Sequence, residues 1–205
     1  MATVTAEISV SLDRFIAGPD DSVERPLGRG GERLHEWGYG LASWRERHGQ
    51  NGGEAGIDSD VLEESLERTG AIVIGRRVFD FGEGPWGDVP PFHVPVFVVT
   101  HSPREPLVKE GGTTFTFVTD GIRSALDQAL LAADGMDVSV GGGGETIQQF
   151  VEAGLLDELQ IHLVPVLLGD GRRLFERMGV GRIELEPTRV IDSPGVTHLR
   201  FRIAK

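Results

Sequence analysis

Several apolar runs in this chain end in residues that can hold an anion or a flat ring. Val138-Ser139-Val140 runs directly into Gly141-Gly142-Gly143-Gly144-Glu145-Thr146. A strand that ends in glycines and opens a helix presents bare main-chain N–H groups at the positive end of a helix dipole, which suits a pyrophosphate. The spacing is neither GxGxxG nor GxxxxGK, so no Rossmann or P-loop fingerprint supports that use. A tight strand–helix connection that needs only space explains the same glycines. Ile72-Val73-Ile74 ends in Gly75-Arg76-Arg77, whose guanidinium groups could grip a phosphate bidentately or could simply face an acidic neighbour. The run 94–100 leaves through Thr100-His101-Ser102 with similar character. Ser11 to Gly18 offers small and apolar residues that could line an aromatic ligand, or could form an ordinary turn.

Other chemistries are missing from the pattern. There is no cysteine, which removes disulfides, cysteine nucleophiles and thiolate metal sites. The histidines His35, His48, His93, His101, His162 and His198 form no HxH or HExxH pair, so no metal site is expected. No GxSxG elbow is present.

The elements that would position these residues are short. A strand is expected over 3–11, a helix over 58–68, and buried strands over 71–75 and 94–100. A strand at 113–119 leads to a helix capped by Asp120. A strand at 136–140, a helix over 145–154 and a long strand over 158–168 follow. The stretch 172–179 reads as a short helix or loop. Strands at 182–191 and 196–204, joined by Asp192-Ser193-Pro194-Gly195, make a terminal antiparallel hairpin. Residues 22–57 are glycine-rich with room for one short helix, and read as a functional lid or a disordered insertion. The order predicts an α/β sandwich with a mostly parallel sheet and an antiparallel edge.

Composition agrees with one domain over 1–205. Hydrophobic residues make up 39% and charged residues 25%, a globular balance rather than a disordered one. The formal charge of −12 argues against nucleic acid or an anionic membrane as partner. The start, MATVTAEISVSLDRFIAG, lacks the pattern of a secretory leader, no apolar run is long enough to span a bilayer, and a cytoplasmic location is expected.

Four blocks in order resemble one family: SLDRFIAG, AIVIGRRVFD, VPVFVVTHSP, and VSVGGGGETIQQFVEAGLLDELQIHLVPVLLGDGRRLF. The whole chain resembles the dihydrofolate reductase-like superfamily, and is most similar to the RibD C-terminal domain family, the reductase half of a bifunctional riboflavin-biosynthesis enzyme. The resemblance implies a three-layer α/β/α fold, NADPH as cofactor, a homodimer, and hydride transfer to a C=N or C=O carbon. The implied substrate is a small heterocyclic or ribosylated molecule, a 5-amino-6-(5-phosphoribosylamino)uracil-like intermediate or a pterin. By position, Gly75, Arg76 and Arg77 would lie by the phosphates. Thr100, His101 and Ser102 would approach the adenosine 2′-phosphate. Gly142, Gly143, Gly144, Glu145 and Thr146 would wrap the pyrophosphate and ribose. Ser9, Ile16 and Ala17 would meet the nicotinamide. The family's proton-donating carboxylate falls nearest Asp58 or Asp60, which could equally be a solvated first turn of the helix. Trp37, Trp44 and Trp86 could stack a planar substrate or fill satellite cores. Arg14 stands where the usual SLDG has glycine. A non-catalytic nucleotide-, flavin- or pterin-binding module on the same fold is the alternative reading.

Overall fold

A computed structural model describes residues 2–176 and 178–204. Its strands are β1 (Val4–Ser11), β2 (Phe15–Ala17), β3 (Thr69–Gly75), β4 (Val96–Val99), β5 (Leu107–Val108), β6 (Thr114–Val118), β7 (Asp137–Val140), β8 (Glu158–Val164), β9 (Arg172–Arg173), β10 (Leu185–Ser193) and β11 (Val196–Ile203). The helices are α1 (Glu36–Tyr39), α2 (Ala42–Arg47), α3 (Ile57–Arg68), α4 (Arg76–Gly82), α5 (Gly121–Ala132) and α6 (Gly144–Glu152), with a 3-10 turn at Gly31–Leu34. Nine strands form one sheet in the order β10-β11-β8-β1-β7-β3-β4-β6-β5, and β2 pairs with β9 in a second, two-stranded sheet.

The centre is parallel, and its crossovers carry helices that cover a face, except that β4 and β6 are joined through β5 and a 3-10 turn at Glu110–Gly112. Alternation along β3 sends Ala71 and Val73 to one side and Ile72 and Ile74 to the other. The first side is the main core. There α5 buries Ala125, Leu126 and Ala129, and α6 buries Ile147, Phe150 and Val151, against Ala6, Val10, Val138 and Val140 of the sheet. At i, i+3 and i+4 these positions share one helical stripe, which is why both segments fold as helices on this face.

The second side is divided. Beneath α4, Ile74, Val96, Val98 and Phe115 pack on Phe79, whose ring centroid lies 5.1 Å from that of Phe115. Beneath α3 the same face is polar. Register places Glu7 beside Gln160 and Arg200, and Ser9 beside His162 and His198. A face that could have been closed with aliphatic side chains instead buries two imidazoles at 3% exposure each. Burying polar groups is costly unless every one is hydrogen-bonded.

Several elements differ from the sequence reading. The strand expected over 158–168 stops at Val164, because Pro165 has no N–H to continue the ladder. Leu168 and Gly169 donate instead to the Asp13 carboxylate, at 3.2 and 2.7 Å. That bond locks the SLDR turn to the Leu-Leu-Gly loop. Residues 172–173 are a strand paired with β2 rather than a helix, and Arg177 lies outside the described residues. The segment 22–57 holds the 3-10 turn, α1 and α2 rather than one helix, and Leu34 and Leu41 anchor it with buried side chains. Helix α3 starts from Gly56 with no side-chain cap. Asp120 precedes α5 but makes no capping hydrogen bond with its side chain. Arg14 has φ 76°, a left-handed conformation that glycine adopts at little cost, and its side chain is exposed.

Candidate functional site

The carboxyl ends of β1, β3, β4 and β7 open into one groove of about 1000 Å³. Open α/β sheets bind ligands at such strand ends. One wall is main chain. The Gly75 N–H donates to Gly142 O at 2.9 Å and the Gly141 N–H to Val73 O at 2.9 Å, which ties the glycine loop to β3. Gly142 has φ 101° and its peptide bond to Gly143 is cis. A Cβ added at Gly142 would stand in open space, and one at Gly143 would touch only Val78, at 3.5 Å. These two positions therefore present bare backbone, beside the first turn of α6, where the Thr146 and Ile147 N–H groups donate to Gly143 O and those of Gly144 and Glu145 precede the first helical acceptor. Gly75 and Gly144 are small for a different reason. A Cβ at Gly75 would lie 2.5 Å from Thr146 Oγ1, and one at Gly144 would lie 2.9 Å from Ile16 Cδ1.

A second wall is cationic. Arg77 and Arg172 both hold Asp21, at 3.0 and 3.1 Å, and Arg76 holds Asp80 at 2.7 Å. Burial alone would raise the Asp21 carboxyl, but hydrogen bonds from Arg172 and Arg77 and their charges hold it below the usual carboxylate range. Two guanidinium groups share the Asp21 carboxylate, so that cluster has one positive charge in excess, with Glu145 acting on Arg172 from α6. Beyond β4, Thr100 Oγ1 accepts from the Ser102 N–H at 3.1 Å, which turns His101 and Ser102 outward at the groove's edge.

The floor is small and apolar beside a polar pocket. Ile16 and Ala17 come from β2, and Ser9 from β1. The Trp37 Nε1–H donates to Ser9 Oγ at 3.1 Å, and its ring lies 4.7 Å from His162 and 5.2 Å from His198. Trp44 reaches the groove from α2, stacked 4.3 Å from His48. Burial and then the neighbouring His162 push His35 down to about 4, so its imidazole is neutral where it lines the groove.

The groove thus gathers all the residues expected to meet a dinucleotide: Ser9, Ile16 and Ala17 on its floor, Gly75, Arg76 and Arg77 at β3, Thr100, His101 and Ser102 at β4, and Gly142 to Thr146 at β7 and α6. It also gathers Trp37 and Trp44. Three expected residues lie elsewhere. Trp86 packs against Phe92 at 4.8 Å and Phe115 at 5.8 Å, because the sheet beneath α4 needs an aromatic to close it. Asp60 is exposed on the first turn of α3. Asp58 turns under the sheet, where it accepts from Ser193 Oγ at 2.7 Å and meets His198 Nε2 at 2.9 Å. Neither carboxylate lines the groove. Sequence reasoning missed Glu7, Asp21, His35, His162 and Arg172, which do. The available signal was alternation: positions 7, 9 and 11 of β1 and 160 and 162 of β8 are polar on one face of strands that are otherwise apolar.

Known proteins of this architecture carry the same arrangement of elements. The family model for the RibD C-terminal domain matches residues 2–198, and the chain belongs to this family. Among solved structures, a putative riboflavin biosynthesis protein from Shewanella superposes with a TM-score of 0.70 at 23% identity, with all of both chains covered. Acinetobacter baumannii RibD superposes with a TM-score of 0.61 at 16% identity; the match takes in all of this chain but 58% of that one. At these identities the likeness establishes the fold. The uncharacterized Bacillus subtilis protein YwjB is 25% identical over 171 residues, covering 83% of this chain and 81% of its own. YyaP of the same organism is 28% identical over 126 residues, covering 58% of this chain and 66% of its own, just short of two thirds of its length. The chain has the riboflavin-pathway, reductase-like fold.

Proposed function

We propose that the chain is an NADPH-dependent reductase of a small heterocyclic or ribosylated substrate. The observation that carries this is the continuity of the groove: bare backbone at Gly142 and Gly143, a guanidinium wall, and a small-residue floor follow one another along the strand ends. The fit to a dinucleotide rests on those glycines, where a side chain would fill the strip a pyrophosphate needs. Gly142 to Thr146 would hold the pyrophosphate, Arg76 and Arg77 the phosphates, and Thr100 to Ser102 a 2′-phosphate. Ser9, Ile16 and Ala17 would hold the nicotinamide, which when bound supplies a hydride. The chain's own part is to orient the partners and shield the floor from water. Trp37 and Trp44 flank the remaining space, which suits a planar ring. A Thermotoga maritima protein of the same fold, described as a diaminohydroxyphosphoribosylaminopyrimidine deaminase/5-amino-6-(5-phosphoribosylamino)uracil reductase, matches 99% of this chain and 57% of its own at 12% identity. That pyrimidine is the first substrate to test.

NADPH binding is read by cofactor fluorescence, with NADH as the comparison. Turnover is read by loss of reduced-cofactor absorbance with 5-amino-6-(5-phosphoribosylamino)uracil and with a dihydropterin. Saturable binding that favours NADPH, together with oxidation by one of these, is expected. Failure to bind either cofactor would overturn the reading. A homodimer is part of the same proposal; it would leave β10, with Val190 63% exposed, as a candidate contact, and sedimentation would test it. Among the described residues no helix is long and apolar enough to cross a membrane.

A further inference from the structure

The polar patch under α3 is a connected chain of titratable groups, and the proposed reductase does not otherwise account for it. His162 Nε2 lies 2.5 Å from Glu7 Oε1. His162 Nδ1 lies 2.6 Å from His198 Nδ1. His198 Nε2 lies 2.9 Å from Asp58 Oδ1. These three contacts join two carboxylates through two imidazoles, and each needs one proton between its heavy atoms. Two neutral imidazoles carry only two. The third contact would then set two bare nitrogen lone pairs 2.6 Å apart. The chain therefore holds one proton more than two neutral rings supply, shared between carboxylates at either end. Both carboxylates ionised with one imidazolium leaves a single net negative charge.

Exposure follows the same line. The Glu7 side chain is 21% exposed and lines the groove; His162 is at 4%, His198 at 3%, and Asp58 at 18%. The ends are open and the middle is closed. The middle is also held rigid. Trp37 covers both imidazoles, Gln160 Nε2 donates to Glu7 Oε1 at 3.2 Å, and Ser193 Oγ donates to Asp58. The other charged groups around the chain are engaged. From β11, Arg200 binds Gln160 Oε1 and Glu64, and from β10, Arg189 binds Glu64. From the segment before α1, His35 is neutral. Burial would raise Glu7, yet the charge of His162 and hydrogen bonds from His162, Ser65 and Gln160 hold it below the ordinary carboxylate value. Burial pulls His198 down against its Asp58 hydrogen bond, helped by the charge of His162.

We propose that Glu7, His162, His198 and Asp58 form a linked proton store beside the groove, which releases one proton to bound substrate through Glu7 and refills from solvent at the same carboxylate. The proposal rests on the reductase reading for its acceptor and on geometry alone for its store. Reduction of a C=N or C=O bond leaves an electron pair on nitrogen or oxygen that must take one proton. The Nε2–H bond of His162 breaks to form a Glu7 O–H bond while the proton between the two Nδ1 atoms settles on His162, and the Glu7 O–H bond breaks as that pair forms the new N–H or O–H bond. One proton from water in the groove then enters at Glu7 and passes to His162 Nε2. No group in the store is oxidised or reduced. Asp58, one of the two carboxylates that the likeness to dihydrofolate reductases suggested, steadies the far end of the store and does not act at the substrate.

Two measurements test this. The first uses the ligand-free protein with ¹⁵N-labelled histidine. A proton shared between the two Nδ1 atoms at neutral pH is expected, and Glu7→Gln, with one carboxylate fewer, should lose it at lower pH than the wild type. Two neutral rings of fixed tautomer, with no shared proton, would overturn the store. The second follows NADPH oxidation by 5-amino-6-(5-phosphoribosylamino)uracil against pH. Glu7→Gln should lower kcat by about 100-fold or more, the usual worth of a general acid, while the NADPH Kd read by fluorescence moves less than about twofold. Asp58→Asn, which removes the distal negative charge, should lower kcat less and move the alkaline limb of the profile to lower pH. Unchanged pH profiles in both variants would overturn delivery. A wild-type protein that binds NADPH but leaves this pyrimidine untouched would overturn delivery together with the substrate reading. The histidine spectrum, recorded without any ligand, would still decide whether the store exists.

Discussion

Substituting Gly75 by alanine should strain the joint between β3 and α6, and the structure says by how much and how to relieve it. The new Cβ would stand 2.5 Å from Thr146 Oγ1, about 1 Å inside ordinary contact, while its next neighbours lie at 3.8 and 3.9 Å. Only one atom is in the way. Thr146 is 7% exposed and branched at Cβ, so its hydroxyl cannot swing aside without entering another stiff rotamer. Forcing one extra carbon into a packed position costs about 1–3 kcal/mol. For a chain of this length that lowers the midpoint of thermal unfolding by roughly 2–12 °C. Because Gly75 also donates to Gly142 O, the same strain should loosen the glycine loop and weaken NADPH several-fold. The decisive arm is the double variant Gly75→Ala/Thr146→Ala, which removes the colliding hydroxyl. Urea and thermal unfolding of wild type, both single variants and the double variant form a cycle. The double variant should recover most of what the first substitution loses relative to Thr146→Ala alone. Strictly additive losses would refute the steric argument and with it the reason given for a glycine at this strand end.

Gly143→Val should fold with near-normal stability, since its backbone is extended and only Val78 is near, yet reduce NADPH affinity by more than about tenfold; fluorescence titration and circular dichroism check the two halves. Trp86→Ala should cost about 3–5 kcal/mol of stability in urea unfolding while leaving the NADPH Kd unchanged, as expected of an aromatic in the α4 cluster. Arg14→Gly should raise stability by about 1 kcal/mol in the same assay, because the left-handed backbone disfavours a side chain. For pH, the Asp21 carboxyl is depressed by Arg172 and Arg77. Its contribution to stability is therefore full above the unfolded carboxylate value of about 3.9 and is lost as pH falls through the lower folded value. Unfolding curves from pH 5 downward should show a steeper loss for wild type than for Asp21→Asn, to about the extent of one partly exposed ion pair.

The local physics of this chain was legible in its sequence wherever one rule sufficed. Apolar runs gave β3 and β4, a helical stripe gave α5, and β7 and α6 were read on either side of the glycine turn, within a few residues of their observed ends. Strand ends in glycine or arginine marked the groove wall, because in a parallel sheet those ends converge on one edge. What sequence could not supply was which distant residues share a face. Glu7, His162 and His198 are more than 30 residues apart at the nearest pair and look unremarkable along the chain. They become one chain of protons only because β8 pairs in parallel with β1 and antiparallel with β11, which sets their side chains in adjacent rows. The packing of α3 on this face turned Asp58 away from the groove and toward His198. Local sequence determined the elements and the backbone cradle, since both depend on neighbouring residues; strand pairing and the seating of α3 decided which titratable groups meet, since those depend on register and packing across the whole sheet.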